Sequence, residues 1–187
     1  MASDYIPNLG SQIDRALMAL FIADEAVTAD QVFVVTDFRE RPEPPILDIK
    51  TVSCQPVVPF TGVCECNVDL FFKFNAVVPE GDADSGSYRA AMDMFVGKAC
   101  YSLFRGDYSD GMPEVCDALT QAGRALATAG TAEDQANNAD MTGFTVSRVT
   151  PGMESRGFPI SEEGGVDGSY WVEKRSFTIL ATSANTD

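Results

Sequence analysis

Between Val63 and Asn75 the side chains alternate with a single exception (VCECNVDLFFKFN). Cys64, Cys66, Val68, Leu70, Phe72 and Phe74 fall on one side. Glu65, Asn67, Asp69, Lys73 and Asn75 fall on the other, with Phe71 the intruder. Successive side chains of a strand point to opposite faces. This period therefore commits the segment to a long strand in a sheet with one buried and one wet face. Residues 46–54 (ILDIKTVSC) precede it across a turn that holds Pro56, Pro59 and Gly62, and the two segments read as an antiparallel hairpin.

The remaining elements arrange themselves around that hairpin. Residues 11–24 place Ile13, Leu17, Leu20 and Phe21 at the spacing of a helix with one buried stripe. Ser11 is expected to cap it, and Asp14 to complement the helix dipole in the first turn. Residues 31–38 (QVFVVTDF) read as a short strand, followed by a proline-rich loop at 39–45 (RERPEPP). A polar loop over 77–87 leads to a helix over 88–104, with Tyr88, Met92, Phe95, Ala99 and Leu103 along one side. A third helix is expected over 113–128, with Pro113 in its first position and Val115, Leu119, Ala122 and Leu126 apolar. Residues 130–140 read as a polar, mobile loop, 141–149 as a strand and 151–168 as a glycine-rich connection. The closing strand, 169–182, carries Trp171, Phe177, Ile179 and Ala181 on one face. Glu173 and Arg175 interrupt that face, which predicts a bulge or a partly exposed end. The order predicts an α+β fold: a mostly antiparallel sheet of about four to five strands packed against two or three helices, in one domain.

Composition narrows the function. The chain has 187 residues, 45% of them apolar, which suits one packed core. No apolar run approaches the roughly 20 residues of a membrane span. The start, MASDYIPNLG, lacks the basic and cleavage-site pattern of a signal peptide, so a cytoplasmic protein is expected. With 28 acidic and 13 basic residues the formal charge is −15. Such a surface repels phosphate backbones, and sequence-specific nucleic-acid binding is not expected.

The chemistry-bearing patterns are sparse. The chain has no histidine, which removes histidine-based triads and histidine-ligated metal sites. Nucleophile-elbow, Walker and dinucleotide-binding glycine motifs are absent, and GDYSDG at 106–111 reads as a turn. Two acidic loops, 80–86 and 107–111, have alternate carboxylates and glycine but lack the layout of an EF-hand. The expectation is no catalytic residue, no metal and no cofactor. An odd number of cysteines (Cys54, Cys64, Cys66, Cys100 and Cys116) argues against a disulfide framework. Cys64 and Cys66 lie about 6–7 Å apart along one strand face, which suits core packing rather than a bond to each other. The residues singled out as interface candidates are Trp171, Lys174 and Arg175 on the closing strand, and Arg39 and Arg41 in the extended loop.

The order of these segments resembles the tail terminator (tail-tube completion) proteins of tailed bacteriophages. The likeness is carried by ALMALF within 16–21, VFVVTDF, PILDIKTVSC, the long alternating strand, a helix rich in alanine and aromatics, and SYWVEKRSFTILAT. The resemblance implies a virion structural protein without catalytic residues, assembled in the host cytoplasm. Its subunits form a homo-oligomeric, hexameric ring that caps the tail tube and meets the head connector. It implies a single domain over 1–187 with an insertion at 105–140. The expected partners are copies of itself, the tail tube protein and head-connector or neck proteins, with DNA passing through an acidic lumen. The alternatives are another neck, connector or tail tube subunit, and an acidic cytoplasmic module that binds a small ligand or peptide. A hydrolase using carboxylates and a divalent metal is a third.

Overall fold

The computed structural model describes residues 9–34, 43–57, 62–75, 85–105, 112–161 and 169–183, with backbone alone at 85–88, 153–161 and 169–171. Five strands form one sheet: β1 (Val32–Val34), β2 (Ile46–Pro56), β3 (Val63–Asn75), β4 (Thr145–Ser161) and β5 (Ser169–Thr182). Their order is β1-β2-β3-β5-β4, so β1 and β4 are the edges. Among the described residues only the short β1–β2 pairing is parallel; the other three are antiparallel. The helices are α1 (Leu9–Ala23), α2 (Ser85–Phe104), α3 (Pro113–Leu126) and α4 (Ala132–Asn137). This is the expected α+β architecture, and the hairpin of β2 and β3 is in place.

The core lies against the β3 face that the alternation predicts. Cys66, Val68, Leu70, Phe72 and Phe74 are buried there with Ile13, Leu17 and Phe21 of α1, Ala99 and Leu103 of α2, and Val115 and Leu119 of α3. Phe95 of α2 meets Phe72 and Phe74 edge-on, at ring-centroid distances of 6.1 and 5.9 Å. Burying one such side chain contributes about 1.5–3 kcal/mol, so this face dominates the stability of the fold. The segment expected as an insertion supplies α3. That helix is tied to the start of β4: Arg124 donates to the Phe144 carbonyl (2.9 Å) and to Thr145 Oγ1 (2.7 Å), and Val146 N–H donates to Thr120 Oγ1 (2.9 Å). Gly123 makes this close approach possible, because a Cβ there would stand 2.6 Å from the Phe144 ring.

The opposite face of the sheet is a polar lattice. Lys73 pairs with Asp48 (3.1 Å) and Lys174 with Asp69 (2.6 Å). Ser176 Oγ donates to Asp69 (2.7 Å), and Thr178 Oγ1 to Asn67 (3.0 Å). Ile46 and Val172, flanking Lys73 in register, are nonetheless buried, so this face is only partly wet.

Several local expectations are corrected. α1 already includes Leu9, so Ser11 lies inside the helix rather than at its cap, and Asp14 lies beyond the first turn. Asp14 instead reaches β2, where its carboxylate accepts from Thr51 N–H (2.9 Å) and Thr51 Oγ1 (2.6 Å). Residues 130–140 are not a loop. α4 is capped by Thr131 and Asp134, whose side chains reciprocally accept the other's backbone N–H, and a 3-10 helix (Ala139–Gly143) follows. α2 starts at Ser85, earlier than its apolar pattern. β4 begins after Met141 and runs through most of the expected glycine-rich connection. It accommodates Pro151 and Gly152 through register shifts at 146/148, 151/154 and 155/158. A Cβ at Gly152 would meet the Ser176 carbonyl oxygen at 2.9 Å, so glycine lets the strands close at that bulge. β5, where a bulge or a partly exposed end was expected, pairs with β3 without a register shift from Tyr170 to Thr182, and the extra residues lie on β4 instead. Arg175 stays on the buried face because Glu173, two residues away on the same face, pairs with it.

The cysteine expectation is corrected too. Cys54 and Cys66 form a disulfide across β2 and β3, where they are direct register partners with Cα atoms 4.1 Å apart. Residues 35–42, 76–84, 106–111 and 162–168 lie outside the described residues, and with them Arg39, Arg41 and both acidic loops apart from Ser85 and Gly86.

Candidate functional site

α2 differs from an ordinary surface helix. Phe95, Ala99 and Leu103 face the core. At 100° per residue, Ala90, Met94, Gly97 and Tyr101 line up on the other side, so apolar residues occupy both faces. Met94 is 59% exposed and Tyr101 73%, and a Cβ placed on Gly97 would meet nothing within 4 Å. The helix carries the composition of a buried element while one side of it stands in water.

That side forms the wall of an open groove of about 660 Å³, completed by Lys98, Ser102 and Arg105 of α2's end and by Asp24 and Glu25 after α1. Arg105 joins the two helices through an ion pair with Asp24 (2.8 Å). Among the described residues the Nε of Arg105, a residue that lines the groove, is buried without a hydrogen-bond partner. Glu25 turns the chain out of α1 with a left-handed φ of 53°. The groove thus combines a flat apolar strip, a tyrosine hydroxyl and a mixed-charge rim. That arrangement suits side-chain contacts across an interface.

The residues chosen from sequence are not gathered into one site. Lys174 and Arg175 are adjacent in a strand and so project to opposite faces. Lys174 pairs with Asp69 and sits 5.7 Å from the centre of the Phe71 ring on the outer face. Arg175 is buried with Glu173 on the helix-covered face. The backbone of Trp171 lies between Phe74 of β3 and Pro159 of β4. Sequence reasoning missed Met94, Gly97 and Tyr101. Their signal was present as a second i, i+4, i+7, i+11 series on the same helix.

Elsewhere the polar chemistry serves the fold. Gln12, almost fully buried, donates to the Asp140 carbonyl (2.9 Å) and to Ser183 Oγ (3.2 Å). Arg15 reaches Asp140 (2.7 Å) and Asn138 Oδ1 (2.6 Å), so α1 holds the segment after α4. Cys64, Cys100 and Cys116 are buried and not disulfide-bonded. Burial pushes the Cys64 and Cys116 thiols up, away from the nucleophilic thiolate. Among the described residues no group of three or more His, Cys, Asp and Glu side chains could hold a metal ion. No described helix is long and apolar enough to cross a membrane.

The chain matches no protein-family model, and no curated protein is similar to it.

Proposed function

We propose that this protein is a structural assembly subunit of a phage tail, of the tail-terminator kind, working as a ring of identical copies between tail tube and head connector. The observation that supports it is the two-faced α2, since a helix apolar on both sides calls for a second partner outside the subunit. The reading also draws on the resemblance in element order and on the α+β fold. The fold alone is shared by many functions. In a ring every copy must present two different surfaces, one to each neighbour. The strongly acidic balance suits a lumen that lets DNA slide without adhering, and a lumen lined by Lys and Arg would overturn that part.

A ligand-binding module is the weaker reading. Pockets for small molecules enclose most of their ligand. Here the groove wall is formed by side chains as exposed as Tyr101 and Met94.

Native mass spectrometry with negative-stain imaging tests the proposal. The expected result is ring-shaped particles of roughly 120 kDa, six copies of the 20.1 kDa chain. A monomer at all concentrations, retained when purified tail tubes are added, would move the weight to a binding module.

A further inference from the structure

We infer that the outward stripe of α2 is covered, in the free protein, by the same stripe of a second copy, the two helices running parallel about a two-fold axis. This goes beyond the ring. A two-fold contact closes after two copies, and a ring junction over the same stripe would have to displace it.

Every residue the contact needs lies on the one helix. Ala90, Met94, Gly97 and Tyr101, all exposed, run for about 16 Å along it. Their alternating spacing of four and three is the seam of a heptad, with Met94 and Tyr101 at a and Ala90 and Gly97 at d. Asp93 then occupies the g flank and Lys98 the e flank. Both are exposed, and neither joins an ion pair among the described residues.

Charge selects a second copy and its direction. In a parallel pair the g residue of one helix meets the e residue of the following heptad on the other. Asp93 precedes Lys98 by that interval, so the Asp93 of each copy comes beside the Lys98 of its partner, twice over by symmetry. An antiparallel pair sets g beside g and e beside e, and forgoes both bonds. The acids of the groove rim do not oppose the contact. Asp24 is held by Arg105 (2.8 Å), and along the strip Arg89, Lys98 and Arg105 balance Asp24, Glu25 and Asp93. On a chain of net charge −15, a stripe with neutral surroundings is where a second copy meets least repulsion.

The shape agrees. A Cβ on Gly97 would meet nothing within 4 Å, so two helices can approach closely at the centre of the stripe. Met94 and Tyr101, on either side of it, then pack against their own counterparts and leave the water in which they stand 59% and 73% exposed. A single helix pair is a small interface, so the dimer should dissociate on dilution.

Sedimentation equilibrium tests the inference. The wild-type chain should give a species of about 40 kDa, twice the 20.1 kDa chain, that falls to monomer on dilution. Tyr101→Asp, with Met94→Asp as an independent second variant, should stay monomeric with unchanged circular dichroism, since both side chains stand in water. Asp93→Lys and Lys98→Asp each turn two attractions into repulsions and should weaken the dimer roughly tenfold. Joined in one chain, the two substitutions bring opposite charges together again and should restore it. A wild-type chain that is monomeric at every concentration overturns the inference. So does a dimer that survives both Tyr101→Asp and Met94→Asp, or a double variant no tighter than the singles. Rings built from subunits that never pair would overturn it and leave the ring reading standing. Dimers that form no ring on purified tail tubes would do the reverse.

Discussion

The Asp14 carboxylate sits beneath β2 with two hydrogen bonds from Thr51 and little contact with water. Burial outweighs those bonds and raises its pKa from 3.8 to about 6. Because the folded value exceeds the unfolded one, the contribution of Asp14 to stability is fully present below pH 4. It is lost as the pH rises through about 6. At neutral pH the ionised side chain costs about 3 kcal/mol relative to its protonated form, from ~1.4 kcal/mol per pH unit. Asp14→Asn keeps an oxygen for Thr51 without the charge. Urea unfolding is expected to give variant and wild type similar stability near pH 4 and to favour the variant at pH 7.5. Curves that stay parallel across that range would show that Asp14 ionises freely. The sequence marks Asp14 as an acid near a helix start, which is where an acid helps the dipole. Nothing local says that Thr51, 37 residues on, claims it first.

At the level of elements, α4 shows how a helix can be hidden in polar sequence. All six of its residues are exposed, and its stability rests on the Thr131–Asp134 box. Asp134 accepts from Thr131 Oγ1 (2.7 Å) and N–H (2.8 Å), bonds that hold its carboxyl below the usual range. Gly130 precedes the box with φ of 74°, and a Cβ there would crowd Asp134 at 2.6 Å. The stabilisation is present above the unfolded pKa of the carboxyl and disappears as the pH falls through the lower folded value. The protection factors of the α4 amides, exchange rates corrected for the intrinsic pH dependence, should therefore fall on acidification, while Asp134→Asn should show low protection throughout. Equal protection in both proteins would assign α4 to tertiary support instead. β3 was legible because its alternation is nearly unbroken and one face is buried along its length. The later part of β4 was not, since its register shifts break the period and Pro151 and Gly152 imitate a turn. The Cys54–Cys66 bond depends on cross-strand register, which spacing along one strand does not reveal. In α2 one apolar face was readable, and the second was concealed by the assumption that a surface helix has only one.

For the molecule as a whole, a charge of −15 on each copy opposes every self-contact. The screening length shrinks from about 30 Å at 0.01 M salt to about 10 Å at 0.1 M. Assembly should therefore strengthen as salt is raised over this range, as read by sedimentation at fixed protein concentration. Weakening instead would mean that ion pairs across the junction outweigh the repulsion. The sheet imposes a different limit at its edges. Among the described residues β1 offers three, and β4 carries an extra residue at each of three register shifts. A foreign strand needs evenly spaced donors and acceptors to zip onto an edge, and neither border supplies a long run of them among the described residues. A crowded solution of this protein is thereby steered away from fibrous, backbone-driven growth, and its associations are left to side chains, which can be specific.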